Sequence, residues 1–166
     1  NGRIVRIRSP ENVLEELRYR LQRCVKPRLV VFNDEVFGVF DEWVEKFSVD
    51  YKRDINIPFD CELVPRLIKE KNGELLAGAG MVSMHFGVQT GQDEIRKTVM
   101  HRPGSNEELL AKSKLMHDLG VEPQYDFILG NPFDTGESLS EASHGKLMSR
   151  GEAGEKLDWD NLMLME

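Results

Sequence analysis

The sequence predicts an α/β fold: a parallel sheet of repeated βα units, part of a partial TIM-type barrel truncated at its N-terminal side. Three observations predict it. Short apolar runs alternate with longer segments of helical periodicity in the order α, β, α, β, α, β, α, β, α, and parallel neighbours need crossovers of this kind. Polar, glycine-bearing stretches follow the apolar runs at Asn33-Asp34-Glu35, Gly87-Val88-Gln89-Thr90-Gly91 and Gly130-Asn131-Pro132-Phe133-Asp134-Thr135, where βα proteins bind ligands. Four strands do not close an eight-stranded barrel, so the sheet is either open or part of a larger barrel, and residues 1–8, which open on Asn and read as the middle of a longer unit, favour the second.

Ser9-Pro10-Glu11-Asn12 opens the first helix, with serine as N-cap, proline in the first turn and an acid beside the positive end of the dipole. Val13, Leu14, Leu17 and Leu21 continue it at helical spacing. Residues 29–32, Leu-Val-Val-Phe, form a short strand of the kind buried on both faces. The next helix covers residues 41–47 with Trp43, Val44 and Phe47 inward, and residues 54–58 form a second strand that Pro58 ends. A third helix spans residues 64–71 and stops at Asn72-Gly73. Residues 74–80 make a short glycine-capped helix leading into a strand over residues 81–86, and residues 93–100 are helical. Residues 106–119 form a helix capped by Ser105, with Glu108 three residues on and Gly120 at its end. A last strand covers residues 123–129. Residues 1–142 are thus the barrel piece. From Ser143 the periodicity fades among Gly145, Gly151 and Gly154, so residues 143–166 are expected to be a helical or poorly ordered segment.

The composition, 40% hydrophobic and 31% charged over 166 residues, is that of one globular domain. A net charge of −7 argues against a general grip on nucleic-acid phosphates, and Arg3, Arg6 and Arg8 read as a solvated edge. No run of eighteen apolar residues predicts a membrane span, and no basic-then-apolar leader is present. The expected location is cytoplasmic. Cys24 and Cys61 are too few for a disulfide scaffold; each sits within or beside a helical pattern and is expected to be reduced and buried.

Several residues could carry chemistry. The paired acids of Asn33-Asp34-Glu35 could hold an ammonium, a hydroxyl or a hard metal ion, or simply complement a helix dipole. Gln89 and Thr90 suit a ribose or another polyol, with Gly87 and Gly91 allowing close backbone approach; the alternative is a tight turn capped by Thr90. Arg102 suits a carboxylate or phosphate, or a surface ion pair. Ile128 and Gly130 could present backbone groups to a flat ring, or merely end a buried strand. His85, His101, His117 and His144 show no metal-like spacing, and His85 could point into the barrel. The chain has no G-x-S-x-G, Walker-type loop or dinucleotide glycine fingerprint.

One ordered set of motifs resembles a known family. Arg8-Ser9-Pro10-Glu11-Asn12-Val13 with Glu15-Glu16-Leu17 is followed by Phe32-Asn33-Asp34-Glu35-Val36-Phe37. Then come Gly87-Val88-Gln89-Thr90-Gly91, Ile95-Arg96, Arg102, and the stretch Phe127-Ile128-Leu129-Gly130-Asn131-Pro132-Phe133-Asp134-Thr135. Together, over about residues 6–141, they resemble the radical S-adenosylmethionine (SAM) superfamily, in the branch with cobalamin-associated, methylthiotransferase and coproporphyrinogen-oxidising members.

The resemblance implies a partial barrel holding SAM and a [4Fe–4S] cluster, with cobalamin in parents that carry it. Such Fe–S oxidoreductases draw an electron from a donor such as ferredoxin or flavodoxin. They cleave SAM reductively to a 5′-deoxyadenosyl radical that abstracts hydrogen from a substrate, which the sequence does not name. It places Asn33, Asp34 and Glu35 in the loop that usually reads Gly-Gly-Glu and binds the methionine amino group. Gln89 and Thr90 match the ribose contact, Arg102 the carboxylate contact, and residues 128–130 the backbone that meets adenine, with Asp134 where the family usually has Glu. The family's Cys-x3-Cys-x2-Cys loop is missing, and Cys24 and Cys61 do not replace it. The expectation is therefore a fragment, inactive alone, whose cluster ligands lie upstream and whose exposed strand edges could pair into a dimer. A cluster-free SAM- or nucleoside-binding module is the alternative. A metal-dependent barrel enzyme using Asp34 and Glu35 ranks last, because further ligands are lacking.

Overall fold

The computed structural model describes residues 7–23, 27–34, 36–128 and 132. Among these residues, five helices, α1 (Pro10–Leu21), α2 (Asp41–Asp54), α3 (Glu70–Ala79), α4 (Asp93–Thr98) and α5 (Asn106–Asp118), are interspersed with four strands, α4 and α5 both lying between the last two. The strands are β1 (Val30–Phe32), β2 (Phe59–Glu62), β3 (Met81–Gln89) and β4 (Glu122–Phe127). They pair side by side in the order β1-β2-β3-β4, all parallel. The α/β expectation holds, with sequential parallel strands as a curving barrel wall requires.

The helix ends follow the sequence. Ser9 Oγ accepts the Asn12 N–H at 3.3 Å, and Ser105 Oγ accepts the Glu108 N–H at 3.2 Å. Gly80 and Gly120 close their elements at φ +116° and +80°, a conformation that glycine adopts without a Cβ penalty.

Four interior expectations are corrected. The helix expected to end at residue 47 runs to Asp54, because Val44, Phe47 and Tyr51 continue one buried stripe. Residues 54–58 are therefore not a strand. Ile55 and Ile57 are buried in a connector where Asn56 takes φ +50° and the Tyr51 hydroxyl donates to the Ile57 carbonyl at 2.9 Å. β2 starts only at Phe59, so Cys61 lies on a strand rather than by a helix. The helix expected over residues 64–71 is a 3-10 turn, Pro65–Leu67, followed by α3, which runs through Asn72-Gly73. Both residues are buried there: Asn72 Nδ2 donates to Asp41 Oδ1 at 2.9 Å, and a Cβ on Gly73 would meet Met116 Sδ at 2.9 Å. The glycine marks a close approach of α3 and α5, not a stop.

The core lies on one side of the sheet. Phe59 and Cys61 of β2 and Met84, Phe86 and Val88 of β3 are fully buried beneath the helices. Between α2 and the first two strands the rings of Phe32, Phe37, Trp43, Phe47, Tyr51 and Phe59 pack together. Phe47 is central, stacked on Trp43 at 4.9 Å and edge-on to Phe32 at 5.6 Å. The opposite sheet face is polar and open, which corrects the expectation that β1 is buried on both faces: Val31 is 53% exposed.

Candidate functional site

Because all four strands are parallel, their carboxyl ends share one edge, and the loops that follow them converge there. Asn33 and Asp34 follow β1 and are exposed. Beyond them the Phe37 N–H donates to the Glu62 carbonyl at 3.0 Å, tying this loop to the end of β2. Glu35 lies outside the described residues.

The end of β3 has the most unusual backbone. The expected loop at residues 87–91 begins late, since Gly87, Val88 and Gln89 belong to the strand. The Thr90 N–H then donates back to the Val88 carbonyl at 2.8 Å across Gln89, which sits at φ +67°. This is a three-residue γ-turn of the rare, strained hand, at a residue with a side chain. A ladder irregularity falls at the same place, between Gly87 and Gln89. A Cβ on Gly87 would lie 2.6 Å from Gln89 Nε2, so the carboxamide rests over the glycine. The Gln89 carbonyl accepts the Ile128 N–H at 2.9 Å, which joins two of the expected ligand contacts directly. Thr90 is buried, and its hydroxyl accepts the Gln92 N–H at 3.3 Å, so that side chain already serves the turn.

Arg96, on α4, is 2% exposed and lies beneath this turn. Its Nε donates to the Val88 carbonyl at 3.1 Å and its Nη2 to the Thr90 carbonyl and to Asn106 Oδ1. Its Nη1 meets Asp93 Oδ1 at 2.8 Å. Burial pushes the Arg96 pKa down and Asp93 opposes it, so the guanidinium remains the fixed cation of the turn. Arg102 is exposed, and its N–H donates to the Arg96 carbonyl at 2.9 Å.

The open sheet face continues the site away from the edge. Asp60, 5% exposed, accepts the Ser83 hydroxyl. His85 stands between two carboxylates, its Nε2 3.5 Å from Asp60 Oδ1 and its Nδ1 3.9 Å from Asp126 Oδ1. Neither contact is a hydrogen bond. Glu62 is in register with His85, and Glu122 with Ser83. The face is therefore acidic, and it favours cationic groups. His85 was legible as a residue able to point into the barrel. Asp60 was not, because the second strand was placed too early.

Among the expected site residues the structure joins Gln89, Thr90 and Ile128, ties Arg102 to them through Arg96, and sets Asn33 and Asp34 on the same edge after β1. Gly130 lies outside the described residues. Cys61 is buried, and burial pushes its thiol pKa up, so it stays protonated and unreactive. Cys24 is not described. Among the described residues no three His, Cys, Asp or Glu side chains are grouped to hold a metal ion. No described helix is long and apolar enough to cross a membrane.

Comparison with known proteins agrees with this architecture. TsrM from Kitasatospora setae is a radical S-adenosylmethionine methyltransferase solved with cobalamin and a [4Fe–4S] cluster. It matches with a TM-score of 0.69 at 16% identity, over 84% of this chain and 29% of that one. The cobalamin-dependent S-adenosylmethionine radical enzyme OxsB, solved with aqua-cobalamin and S-adenosylmethionine, matches at 0.69 with 19% identity, over 80% and 21%. Coproporphyrinogen III oxidase (HemN) from Escherichia coli matches at 0.61 with 18% identity, over 72% and 29%. At such identities these likenesses show the fold, and the chain spans less than a third of each. No curated protein matches. The family model of the Radical SAM superfamily matches residues 1–144. The chain belongs to the radical SAM superfamily.

Proposed function

We propose that this chain supplies part of the SAM-binding face of a radical SAM enzyme. The carrying observation is the strained turn at Gln89, bonded to Ile128 at the carboxyl edge of a parallel sheet. Backbone strain at a residue with a side chain persists where the surroundings over-determine it, commonly at ligand sites. The polar groups along that edge complement SAM. Asp34 suits the methionine ammonium, Arg102 the carboxylate, and the Gln89 carboxamide a ribose diol. Ile128 offers its carbonyl to adenine, its N–H being taken by Gln89. The acidic sheet face below favours the sulfonium.

SAM would supply one-electron, hydrogen-abstracting chemistry on reductive cleavage; Asp34, Gln89, Arg102 and Ile128 would bind and orient it. The described residues do not fit a [4Fe–4S] cluster, since their cysteine, Cys61, is sealed in the core. The cluster's thiolates would come from residues outside the described ones. A cytoplasmic location, a ferredoxin- or flavodoxin-type donor and a cobalamin-carrying parent belong to the same proposal.

The test uses the full genomic-length protein, reconstituted anaerobically with iron and sulfide, and follows 5′-deoxyadenosine by chromatography. Product is expected only with reductant, and Gln89→Ala should reduce it about tenfold at subsaturating SAM, the loss of one to two hydrogen bonds. SAM binding without cleavage replaces the enzyme with the cluster-free binding module. Neither binding nor cleavage overturns both.

A further inference from the structure

We infer that Arg96 is the positioning residue of the SAM site: its buried guanidinium sets the Gln89 turn, while its main-chain carbonyl holds the Arg102 segment beside it. The inference rests on the SAM reading above. The sequence singles out Ile95-Arg96 as part of the motif set but gives Arg96 no role, and its side chain is buried rather than exposed at the open edge.

The hydrogen bonds carry the argument. A γ-turn closes only one backbone bond, here Thr90 N–H to the Val88 carbonyl, and leaves the Thr90 carbonyl and the second lone pair of the Val88 carbonyl to other donors. Arg96 supplies them. The Val88 carbonyl receives its Nε at 3.1 Å, and the Thr90 carbonyl receives its Nη2. The acceptors on either side of Gln89 are thus held by one rigid plane. Asn106 closes the frame: its Oδ1 accepts from Arg96 Nη2 at 2.6 Å while its Nδ2 donates to the Gly91 carbonyl at 2.7 Å. Asp93 Oδ1 takes both Arg96 Nη1 at 2.8 Å and the Asn106 N–H at 3.0 Å. The Arg96 main-chain carbonyl, in turn, accepts the Arg102 N–H at 2.9 Å. The Gln89 turn and the Arg102 segment therefore share one buried anchor. A lysine keeps the charge but cannot span several acceptors in one plane.

In the full-length protein, SAM titrated calorimetrically into wild type, Arg96→Lys, Asn106→Ala, Gln89→Ala and the Gln89→Ala/Arg96→Lys pair tests this. Arg96→Lys should raise Kd about tenfold, and Asn106→Ala a few-fold, with KM for SAM rising while kcat at saturating SAM holds. Because Arg96 acts through Gln89, the double variant should bind no worse than the weaker single one, whereas independent effects multiply. A loss that multiplies, or a Kd unchanged in both Arg96→Lys and Asn106→Ala, overturns the inference. Should Arg96→Lys fail to fold, Asn106→Ala with its Gln89→Ala pair decides by the same comparison. If Gln89→Ala and Arg102→Ala leave Kd unchanged, the SAM reading itself fails, which is a different result.

Discussion

In the proposed SAM site the central residue is Gln89. Its left-handed φ is a cost that glycine would not bear, so Gln89→Gly should leave thermal stability unchanged or raise it by about 1 kcal/mol while weakening SAM binding. Calorimetric unfolding beside a binding titration checks the pair of effects, and a clear loss of stability would contradict the strained turn. Gly87 is the companion. A Cβ there would strike the far end of Gln89, a flexible group, so Gly87→Ala should move the carboxamide and lower SAM affinity several-fold with stability within about 0.5 kcal/mol. Equal affinity would show that the carboxamide position is unimportant. Gln89 was legible in the sequence as an amide at a strand end beside glycines. Its φ and the burial of Arg96 were not, because the bonds that accompany them, from Arg96 to the Val88 and Thr90 carbonyls and to Asn106, form only once α4 and α5 have packed.

Among the elements, α2 is the main support of the first two strands. Phe47 is fully buried and within ring contact of Phe32, Phe37, Trp43, Tyr51 and Phe59. Phe47→Ala should cost about 3–5 kcal/mol by leaving a cavity that rigid rings refill poorly; denaturant unfolding measures it, and a loss under 1 kcal/mol would place Phe47 outside the core. The cap residues Ser9 and Ser105 and the closing Gly80 and Gly120 were readable because their chemistry is local. The length of α2 was not, since Ser48, Val49 and Asp50 weaken the propensity that the buried Phe47–Tyr51 spacing restores. Ile55 and Ile57 imitated strand alternation for a similar reason: both reach the core from a connector, one either side of Asn56 at φ +50°. Asn72-Gly73 has the composition of a turn, yet Asp41 and Met116 make it a helix interior.

Across the whole molecule, surface charge adds a pH dependence. Lys46 holds Glu11 at about 2, Arg53 and then Arg18 hold Asp54 at about 2, and Lys69 with Asn72 lowers Asp41. These folded-state values lie below the unfolded ones. The unfolded chain therefore binds more protons, and the stabilisation is present above the ordinary carboxylate range and lost as pH falls from about 4.5 toward 2. Urea midpoints across that interval should fall, and less steeply in added salt, since the pairs are exposed; a flat profile would contradict the pairing. The parallel α/β order was legible because alternating patterns leave few topologies. The one-sided burial of the sheet was not, as the β1 sequence is equally apolar on both faces. The central claim is that SAM lies on the carboxyl edge at the Gln89 turn, and hydrogen–deuterium exchange of the full-length protein with and without SAM tests it most directly. Exchange should slow in the segments around Thr90 and Arg102 and at Ile128. Unchanged exchange there, or protection at the opposite edge around Phe59 and Met81, would contradict it.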